Sequence, residues 1–235
     1  MNVAVLYSGG KDSNYAVQYA KEKNWNIQYL LSIKPDRKDC FLFHYATVEH
    51  TPLQAKLLGL KHFLIPCTVA DPEQEAALVK NFVETMQTSL PVDAVILGGT
   101  GLQMTQLKSI QTALQSMHIE VFAAHAGLDH ETVFRDMVDK GYEIMITQVA
   151  SDGLASWLGK KITKENFAQL ESDSKKFGFH IGFEGGYADT FVCNMPLFPK
   201  KLHIDAFSKV FDDAYCGHVL FNNIEVLDKP VVLDS

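Results

Sequence analysis

The sequence predicts an α/β fold in which a parallel sheet is covered by helices on both faces and followed by a small α+β unit. Three features carry this. Short β-rich apolar runs alternate with longer amphipathic stretches over the first two-thirds of the chain, as in successive βαβ units. The runs are apolar throughout instead of alternating, as expected of strands buried on both faces. After about Val149 the alternation gives way to extended patterns with a single helix among them.

In chain order, Val3–Tyr7 reads as the first strand and Asn14–Lys23 as the first helix. Ile27–Ile33, Phe63–Pro66, Ala94–Leu97, Val121–Ala124 and Ile144–Val149 are the next strands. Between them Pro52–Leu60, Pro72–Thr88, Leu102–Met117 and His130–Lys140 read as helices. In the third helix Ala76, Val79, Phe82, Val83 and Met86 recur at helical period, so one face is expected to be buried. The second part contains a helix at Lys164–Lys176 and extended runs at Phe179–Phe183, Thr190–Met195, Leu202–Phe211 and His218–Val226. A boundary is expected near residues 148–152, dividing the chain into 1–149 and 150–235. The two parts should pack closely, and such interfaces are favoured places for ligand sites.

Composition narrows the function classes. The 235 residues are 47% apolar and 21% charged, an ordinary globular composition. A net charge of −7 without any block of lysine or arginine argues against a broad nucleic-acid-binding face. Cys40, Cys67, Cys193 and Cys216 are scattered and form no C-x-x-C pair, which argues against a zinc site or disulfide framework and fits a reducing cytoplasm. No run of about 18 apolar residues exists to span a membrane, and the N-terminus lacks the charged and apolar regions of a signal peptide.

The most specific local signal is Ser8-Gly9-Gly10-Lys11-Asp12-Ser13, which lies between the first strand and the first helix. Two glycines let backbone turn sharply and approach a ligand. The helix start offers unpaired N–H groups and a positive dipole end. Ser8 and Ser13 add hydroxyls and Lys11 a point charge, all at the sheet edge where α/β folds bind ligands. Asp12 or Ser13 serving only as a helix cap is the plain alternative. Neither a Walker G-x-x-x-x-G-K-[ST] nor a G-x-G-x-x-G motif is present.

The hexapeptide resembles the signature of the N-type PP-loop ATP pyrophosphatases, whose domain is a HUP/Rossmann-like parallel sheet. The resemblance implies ATP as substrate, cleaved to AMP and pyrophosphate as a substrate oxygen is adenylated, with Mg²⁺ spreading phosphate charge. Asp12 would help hold the metal, and Lys11 would stabilise charge developing on the phosphates. Further stretches resemble the diphthine–ammonia ligase family: His44 followed by Gln54-Ala55-Lys56-Leu57-Leu58-Gly59, then Ser151-Asp152-Gly153-Leu154-Ala155-Ser156-Trp157-Leu158-Gly159-Lys160. Glu184-Gly185-Gly186, Asp189-Thr190-Phe191-Val192 and Pro196-Leu197-Phe198 complete the set. In order, they cover nearly the whole chain. What they imply is an ATP-dependent, AMP-forming ligase with a small C-terminal substrate domain. It would adenylate the diphthine carboxylate of translation elongation factor two and let ammonia displace AMP.

Three positions depart from the family pattern. Gly98-Gly99-Thr100 stands where an acidic residue is expected after the fourth strand, Tyr187 replaces the second glutamate of E-G-G-E, and Phe122-Ala123-Ala124-His125 lacks the usual tryptophan. The candidate site is therefore Ser8, Gly9, Gly10, Lys11, Asp12 and Ser13 for ATP, joined by His44, Gly98, Gly99 and Thr100. Glu184, Gly185, Gly186, Asp189 and Thr190 are the candidates for the acceptor, with Lys11, Asp12, Glu184 and Asp189 in catalysis. Glu184 and Asp189 would shape the acceptor and ammonia site or orient the metal. His125 and His130, without a further cysteine or histidine cluster in sequence, read as solvated or capping residues. Trp157 reads as core, and Glu73 and Glu75 as first-turn acids favoured by the helix dipole. Adenylation of another acceptor, a small carboxylate or a tRNA base, and nucleotide binding without turnover stay open. So does the oligomeric state, a homodimer included.

Overall fold

The computed structural model describes residues 1–36, 43, 47–99 and 104–230. Five parallel strands, β1 (Asn2–Leu6), β2 (Asn26–Pro35), β3 (His62–Cys67), β4 (Ala94–Leu97) and β5 (Glu120–Ala123), form one sheet in the order β3-β2-β1-β4-β5. Alternate residues of the central strand face opposite layers. Val3, Val5 and Tyr7 pack with Ala16, Val17 and Ala20 of helix α1 (Lys11–Glu22) and Ala55 of α2 (Thr51–Leu58). Ala4 and Leu6 pack with Ala76, Val79 and Val83 of α3 (Pro72–Met86) and with Ile110 and Leu114 of α4 (Met104–Leu114). Both faces are thus covered, and the α/β fold expected from the sequence is present.

The remaining elements are α5 (His130–Asp139), β6 (Glu143–Ala150), β7 (Lys161–Ile162), α6 (Lys164–Phe177), β8 (Ala188–Asn194), β9 (Lys200–Phe211) and β10 (Cys216–Asp228). They build a second sheet in the order β7-β6-β10-β9, with β8 also on β6, and every pairing is antiparallel. A single apolar cluster joins Phe134 and Met137 of α5, Ile144 and Ile146 of β6, Trp157, Phe167 of α6 and Phe183.

Two sequence expectations change here. Ile144–Val149, read with the first part, lies in the antiparallel sheet, because its backbone partners are β7, β8 and β10. The change of sheet therefore falls between β5 and β6, earlier than residues 148–152. Phe179–Phe183 is not a strand but a turn whose Phe179, Ile181 and Phe183 are buried. Phe183 has φ +62, a left-handed conformation that ends any extended run. Among the described residues no helix is long and apolar enough to cross a membrane.

Candidate active site at the junction of the two sheets

The first turn of α1 has no side-chain cap of its own. Gly10 is its N-cap residue and makes no side-chain bond, so the plain capping role of Asp12 or Ser13 is not observed. Ser13 Oγ donates to the Gly10 carbonyl at 3.0 Å, and Asp12 turns to Lys11, whose Nζ lies 2.7 Å from Asp12 Oδ2. The loop is held by neighbours. Gly9, at φ +82, points its carbonyl at three donors: Asn14 Nδ2 at 3.0 Å, Gln54 Nε2 at 2.9 Å and the Val192 N–H at 3.0 Å. Gln54 Nε2 also donates to the Val192 carbonyl at 2.7 Å. The Lys11 N–H donates to Thr190 Oγ1 at 3.0 Å. Strand β8 of the second sheet is thereby fastened to the loop of the first.

The loop and β8 border a cavity that is partly open to solvent. Ser8, Gly10, Lys11, Asp12 and Ser13 line it from the loop, and Gly98 and Gly99 from the end of β4. Glu184, Gly186, Asp189 and Thr190 line it from the second unit. The structure thus brings together most residues singled out from the sequence. Gly9 lies behind the loop and Gly185 in the turn beside Glu184; neither lines the cavity. His44 and Thr100 lie outside the described residues. The Thr190 hydroxyl is engaged with the Lys11 N–H. One wall is apolar, formed by Leu6, Leu31, Ile33, Phe43, Val48 and Leu97, a surface suited to a flat base. Sequence reasoning missed this wall; its signal was that β2 and β4 carry apolar residues up to the ligand edge of the sheet.

Lys11 is buried, and its Nζ lies 5.7 Å from the ring centroids of both Phe134 and Phe183. Burial pushes the Asp12 carboxyl up, but the Lys11 ammonium and other positive charge more than offset this and hold it below its usual value. Asp12 Oδ1 is buried without a hydrogen-bond partner, and so is Glu184 Oε2. His125 Nδ1 lies 3.7 Å from Asp12 Oδ1, too far for a hydrogen bond, and both its ring nitrogens are unpartnered. Burial drives its pKa down to about 4, so the ring is neutral near pH 7. Lys11, therefore, is what keeps Asp12 ionised. His130 Nδ1 lies 3.1 Å from Glu184 Oε1. The solvated or capping roles expected of His125 and His130 are thus corrected: His125 is 2% exposed and packs edge-on against Tyr15, and the α5 N-cap is Asp129.

His125 gives a stability prediction. Its folded pKa of about 4 lies below the ordinary 6.5, so the unfolded chain binds more protons between these values. Its contribution is full above about pH 6.5 and is lost as pH falls towards 4, a change of up to about 3 kcal/mol. Urea titrations of the metal-free protein from pH 7 to 4 should show this slope. His125→Phe, which keeps the ring contact with Tyr15, should flatten it; an unchanged slope would refute the assignment.

The comparisons agree with this architecture. The sequence profile described as "Diphthamide synthase N-terminal domain" matches residues 1–118, and "Diphthamide synthase C-terminal domain" matches residues 129–225. Diphthine–ammonia ligase of Danio rerio is 27% identical over 258 residues, covering 99% of each chain. The Homo sapiens protein of that name is 28% identical over 234 residues, 91% of this chain and 86% of its own. The Schizosaccharomyces pombe protein is 26% identical over 98% of this chain, which spans 40% of its length. With both profiles laid end to end along the two sheets, this chain belongs to the diphthamide synthase family.

Proposed function

We propose that this chain is an ATP-dependent, AMP-forming ligase that converts the diphthine carboxylate of translation elongation factor two into an amide, with ammonia as the nitrogen donor. The observation that supports it most is the single cavity shared by the Ser8–Ser13 loop and the Glu184–Thr190 segment. A carboxylate cannot react with ammonia directly, because oxide is a poor leaving group. In this reading the acceptor carboxylate attacks the α-phosphate of ATP, pyrophosphate departs, and ammonia then displaces AMP from the mixed anhydride. Holding both partners in one cleft makes the second step effectively intramolecular. The loop backbone and the α1 N-terminus receive the phosphates, Lys11 faces the charge that develops on them, and the apolar wall takes the adenine.

The residues fit a Mg²⁺–nucleotide and not an all-protein metal cage. Among the described residues no group of three metal-ligating side chains exists. Mg²⁺ commonly uses one or two carboxylates together with substrate phosphates and water, and Asp12 offers an ionised carboxylate with one unpartnered oxygen. Bound there, the ion would neutralise phosphate charge that Lys11 alone cannot balance against Asp12 and Glu184. We place the reaction in the cytoplasm, in keeping with free Cys67, Cys193 and Cys216 among the described residues.

Incubation with diphthine-bearing elongation factor two, ATP, Mg²⁺ and ammonium should give the amide by mass spectrometry, with one AMP and one pyrophosphate per modification. A second reading, adenylation of a different carboxylate, is favoured by Gly99 and Tyr187, which stand where the family pattern that the sequence resembles has acids. It would replace the first if small carboxylates elicited AMP and the elongation factor did not.

A further inference from the structure

Gln54, on α2, is fully buried and does not line the cavity. Its side-chain nitrogen donates to two backbone carbonyls far apart in the chain, Gly9 at 2.9 Å and Val192 at 2.7 Å. Both amide hydrogens are thereby used. The side-chain oxygen, Oε1, is buried with no partner. Turning the amide over would set that oxygen against two carbonyl oxygens, so the orientation is fixed by its acceptors. A buried amide oxygen left unpaired is costly. The fold bears that cost and keeps one donor on the loop and the other on β8.

The same contact forbids a side chain at residue 9. A Cβ on Gly9 would lie 2.5 Å from Gln54 Oε1 and 3.0 Å from Thr51 Cγ2. The next glycine approaches β8 as closely: a Cβ on Gly10 would lie 2.9 Å from the Thr190 carbonyl oxygen. The loop is therefore wedged between α2 and β8. The Val192 N–H donates to the Gly9 carbonyl at 3.0 Å. Gly9 and Gln54 together thus give Val192 the acceptor and the donor that a neighbouring strand would supply. Asn14 acts from within α1. Its Nδ2 donates to the Gly9 and Gly10 carbonyls, each at 3.0 Å, and its Oδ1 accepts from the Tyr7 hydroxyl at 2.8 Å. The loop accordingly holds its own shape through Asn14. What Gln54 adds is a fixed span from the loop to the backbone of β8, the strand that carries Asp189 and Thr190.

We infer that Gln54 is a positioning residue of the ligase reaction, setting the distance between the nucleotide-facing loop and the acceptor-facing strand without touching either substrate. This rests on the amidation reading above. Attack of the acceptor carboxylate on the α-phosphate requires the reacting atoms to meet at about 3–3.5 Å. The nucleotide is held from the Ser8–Ser13 loop and the acceptor from Asp189 and Thr190, so that separation is set by whatever ties loop to strand. Gln54 makes the tie with a rigid, fully engaged amide.

The test uses the full-length protein. Gln54→Met keeps the length of the side chain and removes both donors. With diphthine-bearing elongation factor two, ammonium and Mg²⁺–ATP, kcat for AMP release should fall about 10–100-fold, the cost of misplacing reacting groups by up to about 1 Å. The KM for ATP should stay within about threefold, because Asn14 still shapes the loop. Thermal unfolding of the same preparation gives the folded fraction to which kcat is normalised. A merely structural role would lower Tm and leave kcat per folded molecule unchanged. That outcome overturns the inference, as does a rise in the ATP KM as large as the loss in kcat. Gln54→Asn keeps a buried amide but falls one methylene short of the two carbonyls. It should show the same split, and it decides the matter if Gln54→Met does not fold. If the unsubstituted protein releases no AMP with this acceptor, the amidation reading falls separately. The tie is then read by hydrogen exchange: Mg²⁺–ATP should slow exchange in residues 188–194 of the unsubstituted protein, and by less than about half as much in Gln54→Met. Equal slowing in the two proteins overturns the role of Gln54.

Discussion

Replacing Lys11 with alanine is expected to lower AMP and pyrophosphate formation by about 10²–10³-fold, the usual cost of losing one preorganised charge at a developing anion. Lys11 stands at the N-terminus of α1, 4% exposed, with its ammonium between Asp12 and the faces of two aromatic rings. Few solvent molecules reach it, so its interaction with a phosphate is little screened. Arginine should not restore the rate, because the guanidinium is broader than the compact ammonium this packing accepts. The substitution also removes the charge that keeps Asp12 ionised, which should cost about 1–3 kcal/mol near pH 7. Pyrophosphate release and thermal unfolding, measured on the same preparation, separate the two effects. Turnover within twofold of the unsubstituted protein would remove Lys11 from the site.

The parts of this fold legible in the sequence were those encoded locally. Continuous apolar runs between amphipathic helices point to a parallel sheet, as β1 to β5 form, and a glycine-hinged turn between strand and helix announces its own chemistry. Pairing at a distance is not written locally. The run in β6 looks like one more parallel strand after α5; only β8 and β10, much later in the chain, make it antiparallel. Phe179–Phe183 has the composition of a strand, but the turn closed by the Phe183 N–H on the His180 carbonyl and the left-handed Phe183 end it, and its apolar residues are core. The phosphate loop was readable from its own six residues. Glu184, Asp189 and Thr190 were pointed to by resemblance alone, since nothing local says that β8 folds back onto Gly9 and Lys11. His125 and His130 carry no local signal for the same reason: the carboxylates they face, Asp12 and Glu184, lie far away in sequence. The apolar wall was invisible because buried strand ends look alike whether they meet core or ligand.

Gly98→Ala should be nearly as damaging as the loss of Lys11, although it removes no functional group. A Cβ at residue 98 would lie 2.3 Å from the Asp12 carbonyl carbon, 2.4 Å from the Ser13 nitrogen and 2.6 Å from the Asp12 oxygen. These are backbone atoms of the first turn of α1 and cannot swing aside as a flexible side chain would. Either β4 or the helix start must retreat. Overpacking of this kind costs about 1–3 kcal/mol or more. In a chain of this length that amounts to a fall in Tm of roughly 2–4 °C per kcal/mol. The catalytic penalty is expected to exceed the thermal one. Asp12 and Ser13 line the cavity beside Gly98, and a displacement of about 1 Å of positioned groups can lower rate about 10²-fold. The tight fit of α1 against the end of β4 thus sets where the phosphate-facing turn sits relative to the Glu184 side of the cleft. A Gly98→Ala protein that folds with a lowered Tm yet forms AMP at the original rate would show that this close approach serves packing alone.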